Sequence, residues 1–120
     1  MSLQWPEKVI FCEVGPRDGL QNEPSTLSVE RKTALIEGAA DAGIKIIEVG
    51  SFVHPKAVPQ MADTDEVART FRRTQGVEYR ALVANLKGVE RALASGITKV
   101  KLTVSASESH AKANLNKTPL

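Results

Sequence analysis

The chain has 120 residues, of which 42% are hydrophobic and 25% charged, a composition typical of one ordinary globular domain and not of a disordered chain. Its 16 basic and 14 acidic residues are spread along the sequence, so no basic stripe predicts binding to nucleic acid. No apolar stretch is long enough to span a bilayer, and the amino terminus lacks a signal-peptide core, so we expect a cytoplasmic or organelle-matrix protein without membrane contact.

Short β-branched runs alternate with amphipathic segments along the whole chain, which predicts a repeated strand and helix unit. Each strand run is almost continuously apolar, as in parallel strands that are covered on both faces. The predicted strands cover residues 9–15, 44–50, 77–84 and 99–104. The single cysteine, Cys12, falls inside the first strand, so we expect a packed thiol and not a reactive one.

Three helices are predicted between these strands from their capping residues. Asp63 with Glu66 three residues later resembles a capping box for the second helix. The predicted N-caps are Ser28, Asp63 and Asn85, and the predicted terminators are Gly43, Gly76 and Gly96. The apolar faces predicted for the helices contain Leu35, Ile36, Ala39 and Ala40 in the first, Val67 and Phe71 in the second, and Leu86, Val89 and Leu93 in the third.

Four such units predict an α/β fold, the amino-terminal half of a TIM (β/α)8 barrel, with residues 1–120 as a single partial domain. After residue 104 the sequence is polar and has no further apolar repeat, so we expect the chain to stop within a closed structure. A complete, small, open α/β sheet is the alternative for a chain of this length. The long loops after the first two strands favour the half barrel.

Residues 16–27 form a long loop at the carboxyl end of the first strand, where such a barrel carries its chemistry. Arg17 can hold a developing oxyanion, and Asp18 offers carboxylate oxygens to a hard divalent metal. A solvated ion-pair cluster of Arg17, Asp18 and Glu48 is the structural alternative. No glycine-rich segment follows any strand with the spacing of a dinucleotide or P-loop site, so neither site is predicted.

The sequence of residues 13–23, EVGPRDGLQNE, resembles the opening signature of the 3-hydroxy-3-methylglutaryl-CoA lyase family. This family is part of the metal-dependent aldolase and isopropylmalate synthase-like TIM barrels. Four later segments resemble the same family in the same order, at residues 46–53, 55–61, 85–88 and 106–108. The likeness therefore extends over nearly the whole chain.

The resemblance implies retro-Claisen cleavage of 3-hydroxy-3-methylglutaryl-CoA to acetyl-CoA and acetoacetate, assisted by Mg²⁺ or Mn²⁺. It implies catalytic roles for Arg17 and Glu48, a metal ligand at Asp18, and substrate binding by Arg17, Gln21 and Ser51. Asn85 and Lys56 are weaker candidates. We expect His54 and His110 to be solvent-exposed, because neither has a partner at ligand spacing. The implied partners are an acyl-CoA substrate and further copies of the chain in a homo-oligomer, in a bacterial cytoplasm or a mitochondrial matrix.

The remaining metal ligands of the family, a His-x-His pair and an asparagine, and its loop cysteine are absent from this sequence. A single carboxylate does not hold a hard cation tightly, because water would supply the rest of the coordination shell. We therefore expect the chain alone to be inactive. Two further readings stay open: a related metal-dependent enzyme that condenses acyl-CoA, and a non-enzymatic half barrel that associates through its open strand edges.

Overall fold

The computed structural model describes residues 2–107 and 109, and its strands form one parallel four-stranded sheet whose spatial order follows the chain. The strands are β1 (Cys12–Glu13), β2 (Ile46–Phe52), β3 (Glu78–Val83) and β4 (Lys99–Leu102). The α-helices between them are α1 (Val29–Asp41), α2 (Thr64–Thr70) and α3 (Leu86–Ala94). A turn of π-helix, Gly15–Gly19, follows β1, and a 3₁₀ turn, Pro59–Met61, precedes α2. The predicted α/β architecture, a parallel sheet of four strands with three helices between them, is confirmed.

The ends of α1 and α3 are fixed by the capping residues that the sequence predicted. Ser28 Oγ accepts a hydrogen bond from the Arg31 backbone N–H at 3.2 Å, and Asn85 Oδ1 accepts one from the Gly88 N–H at 2.9 Å. Gly43 follows α1 with a positive φ of 95°, a conformation that glycine adopts without strain at the end of a helix.

The capping box predicted for α2 is wrong. Asp63 occupies the N-cap position, but its side chain caps no backbone N–H and instead accepts a hydrogen bond from Lys32 Nζ at 2.6 Å. The buried ammonium group competes successfully for this carboxylate, because an unpaired charge in that position would be costly. Gly76 does not terminate α2 either, since the helix ends at Thr70 and Gly76 lies in the turn before β3.

The hydrophobic core lies between one face of the sheet and the helices packed on it. The predicted inward positions Ile36, Ala40, Val67 and Phe71 are all buried there. Removal of these apolar side chains from water is the main favourable contribution to the stability of the sheet and helix layers. The core consists of Ile36, Ala40, Ile47, Val49, Phe52, Val67, Ala68, Phe71, Tyr79, Ala81, Val83, Ala92 and Ile97.

The two outer strands depart from the predicted burial. Cys12 is exposed, so the prediction of a packed thiol is wrong, and the three apolar residues before it, Val9, Ile10 and Phe11, are exposed as well. Only the two residues of β1 pair with β2, and none of the described residues covers the outer side of this strand. All four residues of β4 are exposed for the same reason.

The apolar faces predicted for α1 and α3 are partly wrong, because Leu35, Leu86 and Leu93 are exposed. α3 instead turns Gly88 and Ala92 to the sheet. A Cβ atom on Gly88 would come within 2.6 Å of the Phe52 carbonyl oxygen, so the helix and β2 approach too closely for a larger side chain.

His54 is exposed, as predicted, whereas Glu108 and His110 lie outside the described residues. Across residues 2–107 and 109, no helix combines the length and apolar character needed to cross a membrane.

Candidate active site

The first loop folds into a π-helical turn that follows β1 and packs against β2. The Val14 carbonyl oxygen accepts hydrogen bonds from the backbone N–H groups of Arg17 at 3.1 Å and of Asp18 at 2.7 Å. Glu13 Oε1 accepts a further one from the Gly15 N–H at 2.8 Å, which fixes the entry to the turn. Short π-helical segments occur frequently at functional sites. This turn follows the end of β1 and brings Arg17 to Glu48, the third residue of β2.

Arg17 and Glu48 form a buried ion pair, which joins the turn to β2. Arg17 Nε donates to Glu48 Oε1 at 2.5 Å, and only 2% of the Glu48 side chain is exposed. A charge-assisted hydrogen bond of this kind is about twice as strong as a neutral one. The structure therefore brings together the two residues that the resemblance singled out as catalytic, and Glu48 orients the guanidinium group.

Asp18 lies beside Arg17 but faces water. Its Oδ1 is 3.2 Å from Arg17 Nη1, and 56% of its side chain is exposed. Among the described residues, no three His, Cys, Asp or Glu side chains are close enough together to hold a metal ion. The donor set described here does not by itself fit a divalent cation, because Mg²⁺ and Mn²⁺ take about six oxygen ligands. Asp18 can supply one of them.

A β-bulge in β2 sets which side chains face the site. Glu48 pairs with Arg80, whereas Gly50 pairs with the next residue of β3, Ala81, so β2 contains one extra residue. Val49 belongs to the core, and a Cβ atom on Gly50 would meet Thr64 at the start of α2, so both positions face the helices. The bulge turns the following residue, Ser51, to the same face as Glu48. Without it, Ser51 would point into the core.

Among the described residues, three buried side-chain oxygens have no hydrogen-bond partner: Gln21 Oε1, Thr33 Oγ1 and Ser51 Oγ. Ser51 is 0% exposed. Buried polar atoms in folded proteins are nearly always hydrogen-bonded, so a buried polar atom without a partner needs an explanation. Gln21 and Ser51 were predicted to bind substrate, and a polar ligand would satisfy their oxygens.

Lys101 is a site residue that the sequence did not single out. Its Nζ lies 3.6 Å from Glu48 Oε2. The other oxygen of this carboxylate, Oε1, binds Arg17. Lys99 and Lys101 alternate with apolar residues in β4, and this period of two predicts that they share one face. The contact with Glu48 could not be predicted, because it depends on the register of three strands.

The weaker candidates lie elsewhere. The Asn85 side chain caps α3, and Lys56 is exposed.

A cavity of about 390 Å³ beside the end of β2 is lined by Phe52, His54 and Arg91, among others. The larger cavity, of about 540 Å³, lies at the amino ends of β3 and β4, on the opposite edge from Arg17, so it is not part of the candidate active site.

The arrangement supports one kind of chemistry. A guanidinium group that is fixed on one side by a buried carboxylate can stabilise an oxyanion on its other side at little cost in reorganisation. Gln21 Oε1 and Ser51 Oγ, which have no partner among the described residues, can accept hydrogen bonds from a ligand.

A sequence profile of the family described as HMGL-like matches residues 8–119. The chain belongs to the HMGL-like family. A curated protein of Pseudomonas aeruginosa, named 3-hydroxy-3-isohexenylglutaryl-CoA/hydroxy-methylglutaryl-CoA lyase, is 50% identical over 95% of this chain and 38% of its own length. Other curated relatives are named as mitochondrial or cytoplasmic lyases. The predicted family is confirmed.

Solved structures of HMGL-like proteins share this fold. The HMG-CoA lyase of Bacillus subtilis aligns with a TM-score of 0.92 and 46% identity, over 97% of this chain and 39% of that chain. An HMG-CoA lyase from Acinetobacter baumannii, solved in complex with coenzyme A and 3-methylmalate, aligns with a TM-score of 0.89 and 40% identity, over 91% of this chain and 36% of that chain. The four units match the amino-terminal part of the TIM barrel of HMG-CoA lyases, and the chain spans about 38% of the length of its curated relatives.

Proposed function

We propose that this chain forms the first four βα units of a hydroxymethylglutaryl-CoA lyase. In this reaction the carbon–carbon bond between C2 and C3 of the acyl chain breaks. The tertiary hydroxyl group on C3 loses its proton and becomes the ketone of acetoacetate. The bonding electron pair passes to C2, which gives the enolate of acetyl-CoA, and this enolate then takes up a proton.

The observation that carries the proposal is the buried Arg17–Glu48 pair, which joins the turn after β1 to the third residue of β2. Arg17 would stabilise the enolate oxygen, and Glu48 would hold the guanidinium group in place or join the proton relay. Gln21 and Ser51 would bind polar groups of the acyl chain, because their buried oxygens lack partners among the described residues. The names of relatives at 46% and 50% identity support this substrate class.

The family resemblance extends the proposal to a divalent cation, Mg²⁺ or Mn²⁺, with Asp18 as one ligand. The other ligands would come from outside the described residues, which form no metal-binding cluster of their own. A metal ion in such a site polarises substrate oxygens and favours loss of the hydroxyl proton. We also propose a homo-oligomer, and a location in a bacterial cytoplasm or a mitochondrial matrix; the location is supported by one relative from a bacterium and another named as mitochondrial.

A second candidate substrate has a longer acyl branch. The Pseudomonas aeruginosa relative is named for activity on 3-hydroxy-3-isohexenylglutaryl-CoA as well as on the hydroxymethyl compound. A comparison of kcat/KM for both acyl-CoA substrates in the full-length enzyme distinguishes the two, because the preferred branch gives the higher value.

The experiment that tests the proposed function compares Arg17→Gln with the unchanged full-length enzyme, with acetoacetate formation as the measurement. Loss of the guanidinium group should lower kcat by about 10²–10³-fold, as for other groups that stabilise an oxyanion. Arg69→Gln is the matched control, since Arg69 is exposed on α2, and it should leave kcat unchanged. Absence of cleavage by the unchanged enzyme, or full kcat in Arg17→Gln, would contradict the proposal.

A further inference from the structure

Lys101 reaches the catalytic pair from two strands away. Glu48 of β2 pairs with Arg80 of β3, which in turn pairs with Lys99 of β4. Lys101, two residues further along β4, faces the same side of the sheet and brings its Nζ to 3.6 Å from Glu48 Oε2. The lysine side chain is 45% exposed, whereas the carboxylate that it meets is almost fully buried.

The two oxygens of Glu48 are thereby divided between two cations. Oε1 accepts from Arg17 Nε, and Oε2 faces Lys101. An arginine and a carboxylate that have no other partner commonly form two parallel hydrogen bonds. Here Arg17 uses Nε for Glu48 and Nη1 for Asp18, and its Nη2 has no hydrogen-bond partner in the part of the chain that the structure describes.

We infer that Lys101 is a positioning residue for Arg17, an inference that rests on the proposed lyase function. Lys101 holds Glu48 Oε2 and so prevents this oxygen from accepting a second hydrogen bond from Arg17, which would give a two-point pair. The guanidinium group is then fixed through Nε alone, and Nη2 stays free for the negative oxygen that develops on the substrate. Lys101 touches neither substrate nor reacting atoms in this scheme and acts only through Glu48.

Lys99 provides a matched control on the same strand and the same face. Its Nζ lies 3.7 Å from Glu78 Oε1, a distance similar to that between Lys101 and Glu48. Glu78 does not contact Arg17, so removal of the Lys99 charge changes the electrostatics of this face without freeing Glu48.

The test uses Lys101→Met, Lys101→Arg and Lys99→Met in the full-length enzyme. Lys101→Met should lower kcat on the order of tenfold while KM changes little, because the misplaced guanidinium group is needed in the transition state. Lys101→Arg should restore most of kcat, and Lys99→Met should leave it unchanged. A crystal structure of Lys101→Met should show Glu48 Oε2 turned to a hydrogen bond with Arg17 Nη2.

Each outcome decides the inference. Unchanged kcat in Lys101→Met would overturn it, as would a fall in kcat with the Arg17–Glu48 geometry unaltered, because the effect would then not pass through Arg17. An equal loss of kcat in Lys99→Met would also overturn the inference, because removal of any positive charge from this face would then explain the effect. If the unchanged enzyme has no lyase activity but the structure of Lys101→Met shows the two-point pair, the proposed function is disproved. The positioning role of Lys101 would still hold in that case.

Discussion

At the scale of single residues, Gly50 has no room for a side chain. A Cβ atom there would lie 2.6 Å from Thr64 Cγ2 and 2.7 Å from Thr64 Oγ1. Thr64 cannot move easily, because its Oγ1 donates to the Met61 carbonyl oxygen at 2.8 Å and accepts from the Ser51 N–H. Gly50→Ala should therefore destabilise the protein by about 1–3 kcal/mol, the usual cost of overpacking a core. Urea unfolding followed by far-UV circular dichroism measures the change.

Gly38→Ala is the matched control for Gly50→Ala. Gly38 lies on the exposed side of α1, and nothing approaches its added Cβ within 4 Å. Alanine there should stabilise the helix by about 0.5–1 kcal/mol, because glycine loses more backbone entropy on folding. Equal stability changes in the two variants would disprove the steric argument for Gly50.

The sequence indicated candidate site residues that belong to a contiguous signature, but it did not indicate candidates that depend on pairing across strands. Arg17 and Asp18 share one short loop, so their proximity follows from the chain itself. The ion pair between Arg17 and Glu48 rested on the family resemblance, and the structure bears out their proximity. Lys101 could not be found, because its contact requires the register of β2, β3 and β4 to be known.

At the scale of elements, Lys32 joins α1 to the segment before α2. Its Nζ donates to Asp63 Oδ1 at 2.6 Å and also to the Gln60 carbonyl oxygen, and only 4% of the side chain is exposed. A double-mutant cycle with Lys32→Met and Asp63→Asn should give a coupling free energy of about 1.5–3 kcal/mol, as expected for a hydrogen bond between partly buried charges.

Asp41 and Arg72 supply the control for this cycle, because they connect the end of α1 to the residues after α2 but both face water. Their side chains are 2.9 Å apart and mostly exposed. Coupling between them should stay below about 1 kcal/mol, the usual range for a surface ion pair. Similar coupling in the two cycles would show that burial adds nothing to the Lys32–Asp63 interaction.

The existence and order of the elements could be predicted because each signal is local: caps at Ser28 and Asn85, and β-branched runs for the strands. The burial of individual side chains was predicted less accurately than the order of the elements. A periodic pattern indicates the apolar side of a helix but not how closely that helix approaches the sheet. The sequence therefore predicted that Leu86 and Leu93 are buried, whereas the structure buries Gly88 and Ala92. Asp63 was misjudged because the competing partner, Lys32, is distant in sequence.

At the scale of the whole molecule, the described sheet is open at both edges and leaves apolar side chains exposed along them. Such surfaces in folded proteins usually contact another part of the chain or another chain. This exposure supports the proposal that the four units are part of a larger barrel. The exposed apolar residues along these edges include Val9, Ile10, Phe11, Val100, Leu102 and Val104.

The 120-residue chain alone should have almost no lyase activity. Its described residues supply one candidate metal ligand, Asp18, which faces water, and they form no cluster that could hold a metal ion. Without a bound cation to polarise the substrate oxygens, a term worth several kcal/mol, acetoacetate formation should be at least about 10³-fold slower than in the full-length enzyme. Far-UV circular dichroism must first show that the isolated chain is folded, since an unfolded sample would be inactive for a trivial reason. Cleavage by the folded chain at a rate close to that of the full-length enzyme would mean that residues 1–120 contain a complete active site, and it would refute the proposed half-barrel role.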